Sequence, residues 1–188
     1  MNLYYTTMDS PLGPLWLGAT DKGLCALRFL VDPVEVQTAR VLEELDLDQA
    51  IHDPQDMLLI DTADQLDLYF RHELTDFDLP FDLIGTPFRV AVWEEMLKIA
   101  YGHLVTYGDI AKALGDPNKS RACGGAIGAN PIPIIVPCHR VVGGNGALTG
   151  FSAPGGIKLK TKILRLEGLE TDGERVTFPD QDHQLTLF

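Results

Sequence analysis

Cysteine is scarce in this chain: three residues, Cys25, Cys123 and Cys138, stand far apart among 188. An odd number at wide, irregular spacing builds no disulfide framework. No Cys-x-x-Cys or paired Cys/His spacing suggests a zinc site either. Long apolar runs are missing too, none approaching the ~20 residues of a membrane-spanning helix. Met1-Asn2-Leu3-Tyr4-Tyr5 lacks the basic start and apolar stretch of a signal peptide. These absences predict a cytoplasmic protein, with free thiols and no metal or cofactor.

Positive charge is also in short supply, with 15 Lys and Arg against 27 Asp and Glu, a net charge of −12. Taken over the whole chain, that balance argues against a nucleic-acid partner. It is unevenly spread. Residues 1–84 hold 4 basic and 17 acidic residues, residues 85–170 hold 10 and 6, and residues 171–188 hold 1 and 4. The middle segment is therefore basic, and it carries Cys138. Its modest excess predicts moderate, salt-sensitive DNA affinity.

What is present reads as two kinds of sequence. Tyr4–Thr6, Leu15–Leu17 and Leu24–Phe29 read as strands separated by turns at Ser10-Pro11-Leu12-Gly13 and Asp21-Lys22-Gly23. Residues 33–47 and 61–70 have helical spacing. The first 84 residues thus predict a small α/β or α+β unit. From Gly85 the pattern changes. Thr86-Pro87 suits a helix start, with residues 88–100 helical. Thr106 can cap a second helix over 107–114, and Gly115-Asp116-Pro117 ends it before a third over 119–129. Helix, turn, helix at these lengths outlines a helix-turn-helix. The third helix carries Gly124-Gly125, at a cost of about 1 kcal/mol per glycine relative to alanine. Close helix packing and a bare face for a nucleic-acid groove both account for them. Asn130-Pro131-Ile132-Pro133-Ile134-Ile135-Val136-Pro137 predicts a stiff, buried, extended run. A glycine-rich loop spans 143–156, a basic amphipathic helix 157–166, and a polar, loose tail 171–188.

The candidate chemistry lies in Pro137-Cys138-His139-Arg140. Cys25 and Cys123 read as small buried apolar residues. Cys138 differs because a base and a cation adjoin it, and nearby positive charge lowers a thiol pKa from about 8.5. Adjacent side chains on an extended segment point to opposite faces, so His139 reaches Cys138 only across a turn or a water. Glu167, closing the last helix, is the candidate to orient His139. Spacing alone leaves open whether Cys138 is a nucleophile. A Cys–His hydrolase would recruit a distant base from His52, His72, His103 or His183.

From about Tyr69 to Gly168 the sequence resembles the O6-alkylguanine-DNA alkyltransferases, the methylated-DNA–protein-cysteine methyltransferases. The resemblance is carried by Gly85-Thr86-Pro87-Phe88, Thr106-Tyr107-Gly108, Arg121-Ala122, Gly124-Gly125-Ala126, Asn130-Pro131, Leu148-Thr149-Gly150-Phe151 and Leu166-Glu167-Gly168. Its most specific part is Ile135-Val136-Pro137-Cys138-His139-Arg140-Val141-Val142. It implies an α+β fold. A small ribonuclease H-like α/β domain over 1–84 would precede a mainly helical, winged-helix-like domain with a helix-turn-helix over 85–170.

The implied activity is direct, single-turnover transfer of the alkyl group from O6-alkylguanine, and O4-alkylthymine, in double-stranded DNA to Cys138. In that reading the protein is a monomer that extrudes the damaged base through the minor groove. His139 deprotonates Cys138 through a water, Glu167 holds His139, Asn130 braces the turn, and Tyr107 supplies a proton to guanine. Arg121 fills the gap left by the base, with Tyr107, Gly108, Ala122, Gly124 and Gly125 against DNA. Val141, Phe151 and Ser152 hold the base. Two departures stand out: Phe151 replaces a tyrosine found in some relatives, and Asp116 places a negative charge in the helix-turn-helix turn. A non-enzymatic binder of alkylated DNA would lack the acceptor, and Cys138 is present.

Overall fold

The computed structural model describes residues 2–179. The chain divides into two compact units that meet at Gly85/Thr86. In the first, β1 (Asn2–Met8), β2 (Leu15–Thr20) and β3 (Gly23–Phe29) form an antiparallel meander. After α1 (Val34–Leu45), β4 (Gln49–His52) adds to the far side of β1 in parallel, giving the order β3-β2-β1-β4. Then α2 (Met57–Phe70) follows, with Asp56 accepting the Leu59 N–H at its start.

Every residue of β2 is buried, so both faces of the sheet are covered. On one face Trp16, Cys25, Val41 and Leu45 share a cluster, and the Trp16 indole donates to Thr38 on α1 at 3.0 Å. That bond satisfies the polar atom of a fully buried ring. The strands and helices expected from the sequence are here, the strands and α2 with longer bounds and α1 with shorter ones. β4 escapes a sequence reading because its four residues show no alternation, and only parallel pairing with β1 defines it.

The second unit opens with α3 (Pro87–Leu97), capped by Thr86 with proline at the first helical position. Val105–Thr106 is β5, and Thr106 starts α4 (Tyr107–Ala113) with a reciprocal capping box to Asp109. A 3₁₀ turn at Pro117–Lys119 leads into α5 (Ser120–Gly128). The Trp93 indole of α3 donates to the Ala126 carbonyl at 2.8 Å and so fastens α5 to α3. Val141–Val142 is β6, paired in parallel with β5, and α6 spans Gly156–Leu166.

Two expectations need correction. The run 130–137 is buried but not extended throughout. Ile134 has a φ of +78°, and the Val136 N–H returns to the Ile132 carbonyl at 2.8 Å. The prolines prevent a helix but not a chain of tight turns. Residues 171–179 are not a loose tail. Val176 is 3% exposed in a cluster with Leu104, Val142, Leu148, Leu164 and Leu169, and Phe178 packs against it. Two apolar side chains at the right offset outweigh a polar composition. Residues 180–188 of the expected tail lie outside the described residues.

Candidate active site

Cys138 begins a 3₁₀ turn, Cys138–Arg140, rather than ending a strand. Pro137 (φ −84°, ψ 65°) makes an inverse γ-turn in which the Cys138 N–H donates to the Val136 carbonyl at 2.9 Å. Asn130 brackets the preceding turns. Its Oδ1 accepts the Ile132 N–H at 3.0 Å, and its Nδ2 donates to the Val136 carbonyl at 2.7 Å. A β-branched residue at positive φ, such as Ile134, costs on the order of 1–3 kcal/mol and persists only where its surroundings over-determine it. The Asn130 bracket and complete burial supply that determination.

The turn separates Cys138 from its neighbours in sequence and gives each a different task. The His139 ring is fully buried, and its Nε2–H donates to Glu167 Oε1 at 2.8 Å. That bond fixes the neutral tautomer with Nδ1 as the free base position. Nδ1 is buried and bonds no protein group among the described residues. Burial, and behind it the cations of Arg140 and Lys160, push the ring pKa down against the pull of Glu167. Burial alone would raise the Glu167 carboxyl. The facing His139 and Arg140 hold it well below the usual range instead.

Arg140 does not lie beside the thiol, as the sequence suggested. Its guanidinium grips Glu167 through Nε (2.9 Å to Oε2) and NH2 (2.8 Å to Oε1), and NH1 reaches the Ile99 carbonyl at 2.5 Å. The Gly102 N–H adds a fourth donor to Glu167 at 3.2 Å. A buried carboxylate with this many partners is rigid and stays charged.

The cation at Cys138 is Lys160, one of the basic residues of the amphipathic helix α6 that sequence reading did not single out. Lys160 is fully buried, and its Nζ donates to the Val141 carbonyl at 2.6 Å and the Thr149 carbonyl at 3.1 Å. Burial lowers its pKa to about 8, and the negative charge that Cys138 takes on as a thiolate works against that fall. Helical spacing could have revealed it. Residues 160, 163, 164 and 167 share one stripe, and a lysine inside an apolar stripe is anomalous. Arg140 and Thr149 carried no comparable signal.

Burial raises the Cys138 thiol, while the Asn130 amide and the Lys160 charge pull the other way. Burial thus favours the protonated thiol at Cys138 and the neutral imidazole at His139. Cys25 is pushed up to about 12 by burial, with Asp82 adding to the rise, and Cys123 is also raised by burial. Neither has a base beside it in the hydrogen-bond network. Of the three free thiols, Cys138 is the one that adjoins a histidine in the sequence and feels the charge of the buried Lys160.

Tyr107, the first residue of α4, donates its hydroxyl to the Thr149 carbonyl at 2.9 Å, close enough to Cys138 for the two to interact. Burial raises the phenol pKa, so it stays protonated. On α5, Arg121, Ala122 and Gly125 are exposed. A Cβ on Gly124 would lie 3.8 Å from the Tyr107 ring, and one on Gly125 would meet nothing within 4 Å. Packing therefore requires glycine at neither position, and a smooth outer face is what both provide. Gly108 is half-buried on α4. Val141 is buried, and Phe151 and Ser152 sit on the loop after Thr149, Phe151 half-buried and Ser152 exposed.

Fold and site together define a class: a sheet-and-helix unit followed by a helix-turn-helix unit that carries a buried thiol next to a buried histidine–glutamate pair in the chain. Residues 3–83 match the ribonuclease-like domain of 6-O-methylguanine DNA methyltransferase, and residues 87–169 match its DNA-binding domain. The chain is 42% identical over 165 residues to a methylated-DNA–protein-cysteine methyltransferase of Mycobacterium bovis, covering 88% of this chain and 92% of the relative. It is 38% identical over 166 residues to the one from Methanosarcina acetivorans, covering 88% and 99%. A crystal structure of Mycobacterium tuberculosis OGT in complex with DNA superposes with a TM-score of 0.73 at 42% identity, covering 88% of this chain and 93% of that one. The chain belongs to the methylated-DNA–protein-cysteine methyltransferase family.

Proposed function

We propose that this protein repairs O6-alkylguanine, and O4-alkylthymine, in double-stranded DNA by moving the alkyl group irreversibly to Cys138 Sγ. The observation that carries this reading is the buried pair in which Glu167 holds His139 Nε2 and leaves Nδ1 without a protein partner among the described residues, one residue along the chain from the Cys138 thiol. His139 Nδ1 takes the thiol proton through one water, and the thiolate attacks the alkyl carbon. The carbon–oxygen bond breaks as the sulfur–carbon bond forms, and O6 reverts to a carbonyl. Tyr107 gives its proton to the departing guanine, and the thiol proton, released through His139, replaces it. The net transfer is one alkyl group to sulfur and one proton to guanine. A thioether has no electrophilic carbonyl for water to attack, so Cys138 is not regenerated.

A base within the stack is out of reach of a buried thiol, so it must be flipped out. Arg121, exposed at the start of α5, fills its place, and the bare Gly124–Gly125 face lies in the minor groove. Tyr107, Gly108 and Ala122 complete that contact, and Val141, Phe151 and Ser152 hold the extruded base. No helix among the described residues is long and apolar enough to cross a membrane. A cytoplasmic monomer is the reading that fits the three free cysteines and a site built within one chain.

Peptide mapping after incubation with a duplex containing O6-methylguanine tests the assignment. The methyl group should appear on the peptide carrying Cys138, and Cys138→Ala should abolish both modification and repair. Restored guanine with an unmodified protein would contradict it.

A further inference from the structure

Residues 171–179 lie beyond the matched DNA-binding domain, which ends at residue 169. They nevertheless fold against the loop that enters the site. The Leu148 N–H donates to the Glu174 carbonyl at 2.8 Å, and the Val176 N–H donates to the Gly146 carbonyl at 2.9 Å. Ala147 and Arg175 pair as an antiparallel bridge between these bonds. Thr171 and Val176 form a second bridge, and Asp172 accepts the N–H groups of Glu174 and Arg175, so the segment is itself a closed turn. Val176 anchors it in the core beside Leu148 and Leu164.

The loop is shaped to receive it. Gly146 has a φ of +76°, and a Cβ there would stand 2.3 Å from the Val176 carbonyl oxygen. Only glycine permits the approach. One residue past Leu148, the Thr149 carbonyl accepts both the Tyr107 hydroxyl and the Lys160 ammonium. Next, a Cβ on Gly150 would stand 2.6 Å from the Tyr107 hydroxyl. The loop thus closes over the phenol, and its position is set by a strand partner lying 25 or more residues onward.

We propose that residues 171–179 are a strap that positions Tyr107 for proton transfer by fixing the turn bearing the Thr149 carbonyl. The proposal rests on the reading of Tyr107 as the proton donor. Held by Thr149, the hydroxyl keeps a fixed position, and its proton passes to an arriving base by rotation of one O–H bond. With the strap undocked, Leu148 loses its N–H partner and the Thr149 carbonyl wanders. The phenol then samples positions from which guanine is out of reach.

The test uses the full-length chain with Gly146→Ala and Val176→Asp, which undock the strap from opposite sides, and Val176→Ile as the conservative control. Each is made alone and combined with Tyr107→Phe. Single-turnover methyl transfer from duplex DNA is measured together with DNA affinity. Gly146→Ala and Val176→Asp should each slow transfer about tenfold or more with affinity kept within about twofold, and Val176→Ile should not. In the Tyr107→Phe background the same changes should cost less than about twofold, since their route of action is already gone. Equal losses in both backgrounds, or no loss in either, would overturn the strap's part alone. A Tyr107→Phe protein as fast as the parent would overturn the reading of Tyr107 and this proposal with it.

Discussion

At the scale of single residues, the site separates proton handling from charge. Glu167, clamped by Arg140 and Gly102, orients His139, while Lys160 supplies the positive field at Cys138. Removing that field should raise the thiol pKa further. Lys160→Gln is therefore expected to move the pH–rate profile for free O6-benzylguanine to higher pH, with a smaller deficit in alkaline buffer. An unshifted profile would remove Lys160 from the electrostatics of the thiol. Glu167→Gln should slow the same reaction about 100-fold, because the histidine loses its fixed tautomer.

The same groups set a pH dependence of stability. The folded pKa of His139 lies below its ordinary value of 6.5, so below that pH the unfolded chain binds more protons than the native one. Stability should fall as the pH drops through this window, and the depressed carboxyl of Glu167 extends the fall into more acidic buffer. Lys160 has the same sign at the other end. Between about 8 and 10.5 the unfolded chain again holds the extra proton, so stability should rise with pH there. Denaturant midpoints across pH check both, and Glu167→Gln should remove the carboxyl's share of the acid slope while the share of His139 persists.

At the scale of elements, much was legible. Thr86-Pro87, Thr106 with Asp109, and Gly115-Asp116-Pro117 are local signals whose physics is complete within a few residues, and they bounded α3, α4 and the turn before α5. The acceptor segment was legible in its residues and not in its shape. Prolines at 131, 133 and 137 exclude a helix, but only the Asn130 bracket selects turns over an extended run. Residues 171–179 were misread, and Lys160 went unnoticed, for one reason: composition reports the average environment, and one buried cation or one anchored valine departs from it. α5 carries a prediction of its own. Arg121→Ala should slow repair in duplex DNA at least about tenfold while leaving reaction with free O6-benzylguanine within about twofold. Equal losses on both would mean that Arg121 does not fill the gap left by the base.

At the scale of the whole molecule, charge and chemistry divide between two units. Residues 1–84 are strongly acidic, and the basic excess lies with the helix-turn-helix and Cys138. Affinity for undamaged duplex should accordingly be modest and should fall as salt rises, with a slope set by the few cations near α5. The central claim is that each chain acts once. Intact-mass measurement during titration with a duplex containing O6-methylguanine tests it most directly. One methyl per chain should accumulate in step with each guanine restored, and repair should stop when every chain is modified. Continued repair past that point, or repair by chains of unchanged mass, would contradict the account.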